Sequence, residues 1–138
     1  MRYLARREYS RAELHGRLLM YATPDDNVEA VLDELVKRGW QSDERAATQL
    51  VHAKRSRFGT QRIAHELRQK GISEELVSAA LPELKESELE AARVVWQKKF
   101  GVAPQDEKEK AKQMRFMQSR GFGLDVVFKV LRSGCEAE

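Results

Sequence analysis

The order of apolar and polar positions is helical throughout. Val28, Val31, Leu32, Leu35 and Val36 recur at i, i+3, i+4, i+7 and i+8, which places one apolar stripe on one helix face. Asp25, Asp26 and Asn27 supply its cap and acidic start, and Lys37, Arg38 and Gly39 its basic end and stop. Ser10-x-x-Glu13 forms a capping box that leads into Leu14, Leu18 and Leu19. Ala46, Ala47, Leu50 and Val51 predict another helix, capped by Ser42 or Asp43. Ile63 and Leu67 predict one begun by Thr60 and stopped at Gly71. Val77, Ala80, Leu81 and Leu84 predict a helix that Pro82 should end or kink. The box Ser87-x-x-Glu90 should open the next, over Leu89, Ala92, Trp96 and Phe100. Ala111, Met114 and Met117 mark a helix stopped at Gly121, and Val127, Val130 and Leu131 mark the last. No stretch alternates with period two, so the class is all-α.

The pattern repeats. A shift of 50 residues lays Leu67 on Met117, Lys70 on Arg120, Gly71 on Gly121, Ile72 on Phe122 and Val77 on Val127. A shift of 49 lays Leu14 on Ile63, Leu18 on Leu67, Val28 on Val77 and Tyr9 on Phe58. In two copies the turn has one mechanism. A basic residue ends the helix, glycine takes the left-handed position, and Ile72 or Phe122 staples onto Val77 or Val127. The first copy departs, with Pro24-Asp25-Asp26 making the turn. One preceding helix per copy, near residues 1–8, 43–56 and 86–100, completes each unit. The expectation is three tandem three-helix repeats in an elongated, curved helical array. Their boundaries fall at 1–41, 42–84 and 85–138, the last with a short polar tail.

Composition narrows the function. The 138 residues carry 25 Lys and Arg against 22 Asp and Glu, a net +3. That balance does not by itself select nucleic acid. A single cysteine excludes a disulfide scaffold and a cysteine zinc site. No apolar run is long enough to span a membrane, and the charged start (Arg2, Arg6, Arg7, Glu8) argues against export. Charge pairs at i,i+4 are expected along the helices: Glu13–Arg17, Asp33–Lys37, Glu34–Arg38, Glu66–Lys70 and Asp106–Lys110.

Candidate chemistry is sparse. His15, His52 and His65 have no metal-ligand spacing, so no metal is expected. The acidic groups Asp25/Asp26, Glu74/Glu75 and Glu86/Glu88/Glu90 fall where helices should start, and the helix dipole accounts for them. Neither Arg57-Phe58-Gly59-Thr60 nor Ser119-Arg120-Gly121-Phe122 has phosphate-loop spacing. Cys135 has no base near it in sequence. No nucleophile, base and oxyanion site assembles, so neither catalytic residues nor a cofactor is expected. Basic clusters remain. Arg2, Arg6, Arg7 and Arg11 form the first, and Lys54, Arg55, Arg57 and Arg62 the second, which has no acid between Arg45 and Glu66. Lys98/Lys99 with Lys108, Lys110, Lys112 and Arg115 form the third, read as a solvated, partly paired helix face. Tyr9 and Phe58, beside the first two, are assigned to core packing.

Four stretches resemble the RecX family of recombination regulators. They are residues 4–14 (Leu4 to Leu14, with Arg6-Arg7-Glu8-Tyr9-Ser10-Arg11), residues 38–46 (Arg38-Gly39-Trp40 to Ala46), residues 58–72 (Phe58-Gly59-Thr60-Gln61-Arg62 to Gly71-Ile72), and Arg120-Gly121-Phe122. They stand in family order and span nearly the whole chain. His15-Gly16 departs where a more basic pair is usual, and Ala46-Ala47 where an aromatic is common. The resemblance implies three tandem three-helix repeats and a cytoplasmic, non-enzymatic protein; a monomer is expected. Its partner would be the RecA nucleoprotein filament, in whose groove it would restrain strand exchange, ATP hydrolysis and co-protease action in DNA repair and the SOS response. Weak contact with single- or double-stranded DNA is compatible with this; a membrane is not implied. Arg6, Arg7, Arg11, Lys54, Arg55, Arg57 and Arg62 are the candidate partner-binding group. The alternative is a direct DNA-binding module built from helix-turn-helix-like units.

Overall fold

The computed structural model describes residues 7–136, and these form seven α-helices and no strand. The helices are α1 (Arg11–Tyr21), α2 (Val28–Lys37), α3 (Asp43–Lys54), α4 (Thr60–Gln69), α5 (Glu74–Lys99), α6 (Glu107–Ser119) and α7 (Leu124–Glu136). Three of the expected caps are in place, and Asp106 supplies one the sequence had not marked. Ser10 and Glu13 form a complete capping box at α1. Asn27 takes the cap of α2, while Asp26 accepts from the Thr23 amide (2.8 Å) in the turn before it. Ser42 accepts from the Arg45 amide at the start of α3. Asp106 caps α6. The expected helix over residues 1–8 lies largely outside the described residues.

Pro82, expected to end or kink its helix, does not end it: α5 runs 26 residues through it. Proline forfeits one backbone hydrogen bond and crowds the preceding turn, a cost of about 3 kcal/mol. Val77, Leu84, Ala91, Ala92 and Trp96 are all buried along the same helix, so both sides of the proline are anchored by packing. Ser87 therefore caps nothing. Its hydroxyl donates back to the carbonyls of Glu83 and Leu84, one turn earlier. Glu86, Glu88 and Glu90 are mid-helix, not at a helix start.

The glycine turns are as expected. After α4, the Gly71 amide donates to the Arg68 carbonyl and the Ile72 amide to Leu67. After α6, Gly121 donates to Gln118 and Phe122 to Met117. This is the six-to-one, five-to-two closure of a Schellman turn, and both glycines are left-handed (φ 77° and 90°).

The chain divides into two compact units. One holds the chain up to Leu50 together with Glu66–Ala80; the other holds Val51–His65 together with the chain from Leu81 onward. In the first, Tyr9, Leu14, Leu32 and Leu35 form a small core, with Leu18 and Val28 against it. In the second, Ala91, Ala92, Trp96, Met117, Phe122, Val127, Val130 and Leu131 form a larger one. Inside it the Trp96 indole donates to Gln113 Oε1 (2.8 Å), and the fully buried Gln113 amide reaches the Val102 carbonyl (3.1 Å). No described helix is long and apolar enough to cross a membrane.

Candidate interaction surface

In the second unit a helix start is seated on a helix end. The Gly59 amide donates to the Arg120 carbonyl (2.7 Å) and the Gln61 amide to the Gly121 carbonyl (3.3 Å). The unsatisfied donors at the start of α4 thus meet acceptors of the turn after α6. The seat requires glycine on both sides. A Cβ at Gly59 would collide with the Gly121 carbonyl, and one at Gly121 would lie 2.6 Å from the Arg62 nitrogen.

This seating gathers cations from distant segments around one ring. Phe58 is half-buried, and four charged groups lie over it: Arg62 at 4.3 Å from the centroid, Arg120 at 5.1 Å, Lys54 at 5.2 Å and Arg57 at 5.7 Å. Arg120 also faces Phe116 at 5.4 Å, as does Lys99 at 5.2 Å. Phe116 in turn meets Phe100 edge to face, centroids 5.4 Å apart. Each cation–ring contact is worth about 0.5–1 kcal/mol at an exposed site, and together they hold like charges side by side. Arg62 also donates to the Ser119 carbonyl (3.2 Å). Arg55 is engaged differently, in an ion pair with Glu83.

The segments that supply this face contain no acid. Residues 51–65, 91–105 and 110–124 carry eleven of the 25 Lys and Arg and none of the 22 Asp and Glu. The rest of the chain holds 14 cations against 22 acids. A net charge of +3 therefore conceals a strong local imbalance.

Glu88 ties the same region together. Its buried carboxylate accepts, through Oε1, from the Thr60 amide at the start of α4 (3.4 Å) and the Gly123 amide at the start of α7 (3.3 Å). The acid expected to serve its own helix start instead serves two others, where a negative charge meets the positive ends of both helices.

The first unit repeats the seating with different atoms. The Ser10 hydroxyl donates to the Lys70 carbonyl (2.6 Å) while accepting from the Glu13 amide (3.1 Å). Ser10 and Gly59 are 49 residues apart, and Lys70 and Arg120 are 50 apart, so the two seats correspond. Tyr9, the counterpart of Phe58, is buried beneath Arg7 (4.1 Å) and Arg17 (5.1 Å). Arg7 also pairs with Glu13. Arg11 bridges Glu29 (2.9 Å) and Asp33 (2.8 Å), and these hydrogen bonds, Glu29 first, raise its pKa further. Its amide donates to Asp43 (2.8 Å). Lys70 Nζ lies 3.2 Å from Glu13. Among the expected i,i+4 pairs Glu34–Arg38 forms at 2.7 Å, whereas Glu13 and Asp33 turn to partners distant in sequence.

The candidate residues thus fall in two places. Arg7 and Arg11 belong to the first unit, and Lys54, Arg55, Arg57 and Arg62 to the second; Arg6 lies outside the described residues. The sequence puts Lys99 in the third cluster and Arg120 at a helix end; the structure brings both, with Phe116, to the second group. Their signal was the absence of acids over residues 91–105 and 110–124, which a count of basic residues alone does not reveal. Among the described residues no three His, Cys, Asp or Glu side chains gather as a metal site.

Helices seated start-to-turn at a 49- to 50-residue spacing define a tandem three-helix-domain protein. Family models for the first, second and third three-helix domains of RecX match residues 1–35, 42–81 and 86–131 in that order. The chain belongs to the RecX family of regulatory proteins. It is 44% identical over 133 residues to the regulatory protein RecX of Chromobacterium violaceum, covering 96% of this chain and 86% of that one. It is 46% identical over 132 residues to that of Leptothrix cholodnii, covering 96% and 84%. The crystal structure of RecX from Lactobacillus salivarius shares the fold, with a TM-score of 0.76 over 96% of this chain and 89% of that one at 17% identity.

Proposed function

We propose that this chain is a non-enzymatic regulator of the RecA recombinase. It binds in the groove of the RecA–DNA filament and restrains strand exchange, ATP hydrolysis and co-protease action in DNA repair and the SOS response. It acts as a cytoplasmic monomer without a cofactor. The observation that carries the reading is the ordered match of all three RecX domains. Arg6, Arg7, Arg11, Lys54, Arg55, Arg57 and Arg62 are the proposed contact group, to which the shared Phe58 face adds Arg120. Cations laid on ring faces keep their N–H edges outward, ready for carboxylate or phosphate oxygens.

The test is a titration of the DNA-dependent ATPase of RecA with this protein. Inhibition below one protein per RecA protomer is expected. Triple charge reversal at Arg55, Arg57 and Arg62 should weaken it at least about tenfold. An unchanged ATPase at excess protein would overturn the reading.

A direct DNA-binding module is the second reading, favoured by the eleven cations on acid-free segments. It predicts tight binding to naked duplex with a log–log salt slope near one per phosphate contacted. Weak, salt-insensitive binding to naked DNA beside strong filament binding would exclude it.

A further inference from the structure

Beside the Phe58 cluster, within the second unit, lies a groove of about 290 Å³ whose lining is mixed in an ordered way. Val94, Val95 and Phe116 supply its apolar wall. Val94 is 39% exposed although it is a large aliphatic residue on a helix. Arg57, Lys98, Lys99 and Arg120 supply the charge around that wall. No acid lines it.

We propose that this groove seats an acidic peptide segment bearing one apolar side chain, which packs on Val94, Val95 and Phe116 while flanking carboxylates meet Arg57, Lys98, Lys99 and Arg120. Two observations favour a peptide over a nucleic acid. Single-stranded nucleic acid is held by bases stacked on open aromatic faces; here Phe58 and Phe116 already carry cations at 4.3–5.7 Å. A phosphodiester chain also gains nothing from a valine wall, whereas an acidic segment with an apolar residue uses both halves of the lining. Arg57 and Arg120 are held against rings, so less conformational freedom is lost when carboxylates dock.

The inference deepens the proposed regulatory role and rests on the same face being the contact surface. The binding arm of its test contains no recombinase. Fluorescence anisotropy of the full chain is measured with a short labelled peptide of Asp and Glu around one central Phe. The same peptide with Ser for Phe and a labelled oligothymidylate serve as competitors of known chemistry. At physiological salt the Phe peptide should bind at least about tenfold tighter than the Ser peptide. Val94→Ser should cut that ratio at least about threefold, and Lys98→Gln with Lys99→Gln should weaken both peptides alike. Equal binding of the two peptides, oligothymidylate outcompeting both, or no binding at all overturns the inference, and the first comparison needs no variant to fold. ATPase inhibition that survives in a chain showing no peptide discrimination would sink the groove alone. Phe-peptide binding by a chain that leaves the RecA ATPase untouched would sink the filament reading alone.

Discussion

The Gly59 amide lies 2.7 Å from the Arg120 carbonyl, an approach that leaves no room for a side chain at Gly59. Any Cβ there meets backbone, which cannot swing aside as a flexible side chain can. Gly59→Ala should therefore destabilise the protein by about 2–3 kcal/mol. Gly16 is the internal control. It lies within α1, exposed, with nothing near its would-be Cβ. Gly16→Ala should stabilise by about 0.5–1 kcal/mol through helix propensity. Urea midpoints of the two variants should move in opposite directions; a shared direction would refute the close-approach account.

Glu88 offers a second test. One oxygen serves two amides, at 3.3 and 3.4 Å, and both belong to helix starts. Glu88→Ala strands one buried and one half-buried donor and should cost about 2–3 kcal/mol. Glu88→Gln keeps an acceptor oxygen but loses its charge and should cost about 1 kcal/mol. Equal loss from both changes, measured by urea unfolding, would show that packing rather than capping sets the effect.

These two residues also mark how far the sequence can be read. The helices, the Ser10 and Asn27 caps and the left-handed Gly71 and Gly121 were legible, because each is decided by neighbours a few residues away. Pro82 was not. Its local rule is to break a helix, and burial of Val77 on one side and Leu84 on the other overrides that rule. Glu88 was misread for the same reason: its partners lie 28 and 35 residues away. The basic clusters were legible, but the meeting of Lys54, Arg57 and Arg62 with Arg120 over one ring was not. That meeting depends on the seat of α4 on the Gly121 turn. The same offset that equates Tyr9 with Phe58 hid their difference: the first is buried, the second half-open.

Thr60 carries a buried hydroxyl with no hydrogen-bond partner among the described residues. Its amide is used by Glu88; its Oγ1 is left over. A buried polar atom without a partner is a standing cost of about 1–3 kcal/mol. Thr60→Val keeps the shape and removes the hydroxyl, so it should raise stability by up to about 1 kcal/mol. A fall in the thermal midpoint would mean that the hydroxyl has a role in the folded chain.

Glu13 predicts a pH dependence. Burial pushes its carboxyl upward, but the Ser10 amide (2.9 Å), Lys70 Nζ (3.2 Å) and the charge of Arg7 outweigh burial and hold it below its ordinary 4.5. The folded chain therefore resists taking up that proton, and the unfolded chain takes it first as the solution is acidified. The stabilisation is complete above pH 4.5, the unfolded value, and is lost as pH falls through the lower folded value. Glu13→Gln removes the titrating group, at a cost near neutrality of about 1 kcal/mol. Glu74, held down by the Arg68 guanidinium, titrates in the same sense and is present in both proteins, so its effect cancels in the comparison. The difference in unfolding free energy between native and Glu13→Gln chains should be constant from pH 7 to about 5 and shrink below 4.5. A gap that stays the same down to pH 3, or widens, would show that the Ser10, Lys70 and Arg7 contacts do not favour the ionised form.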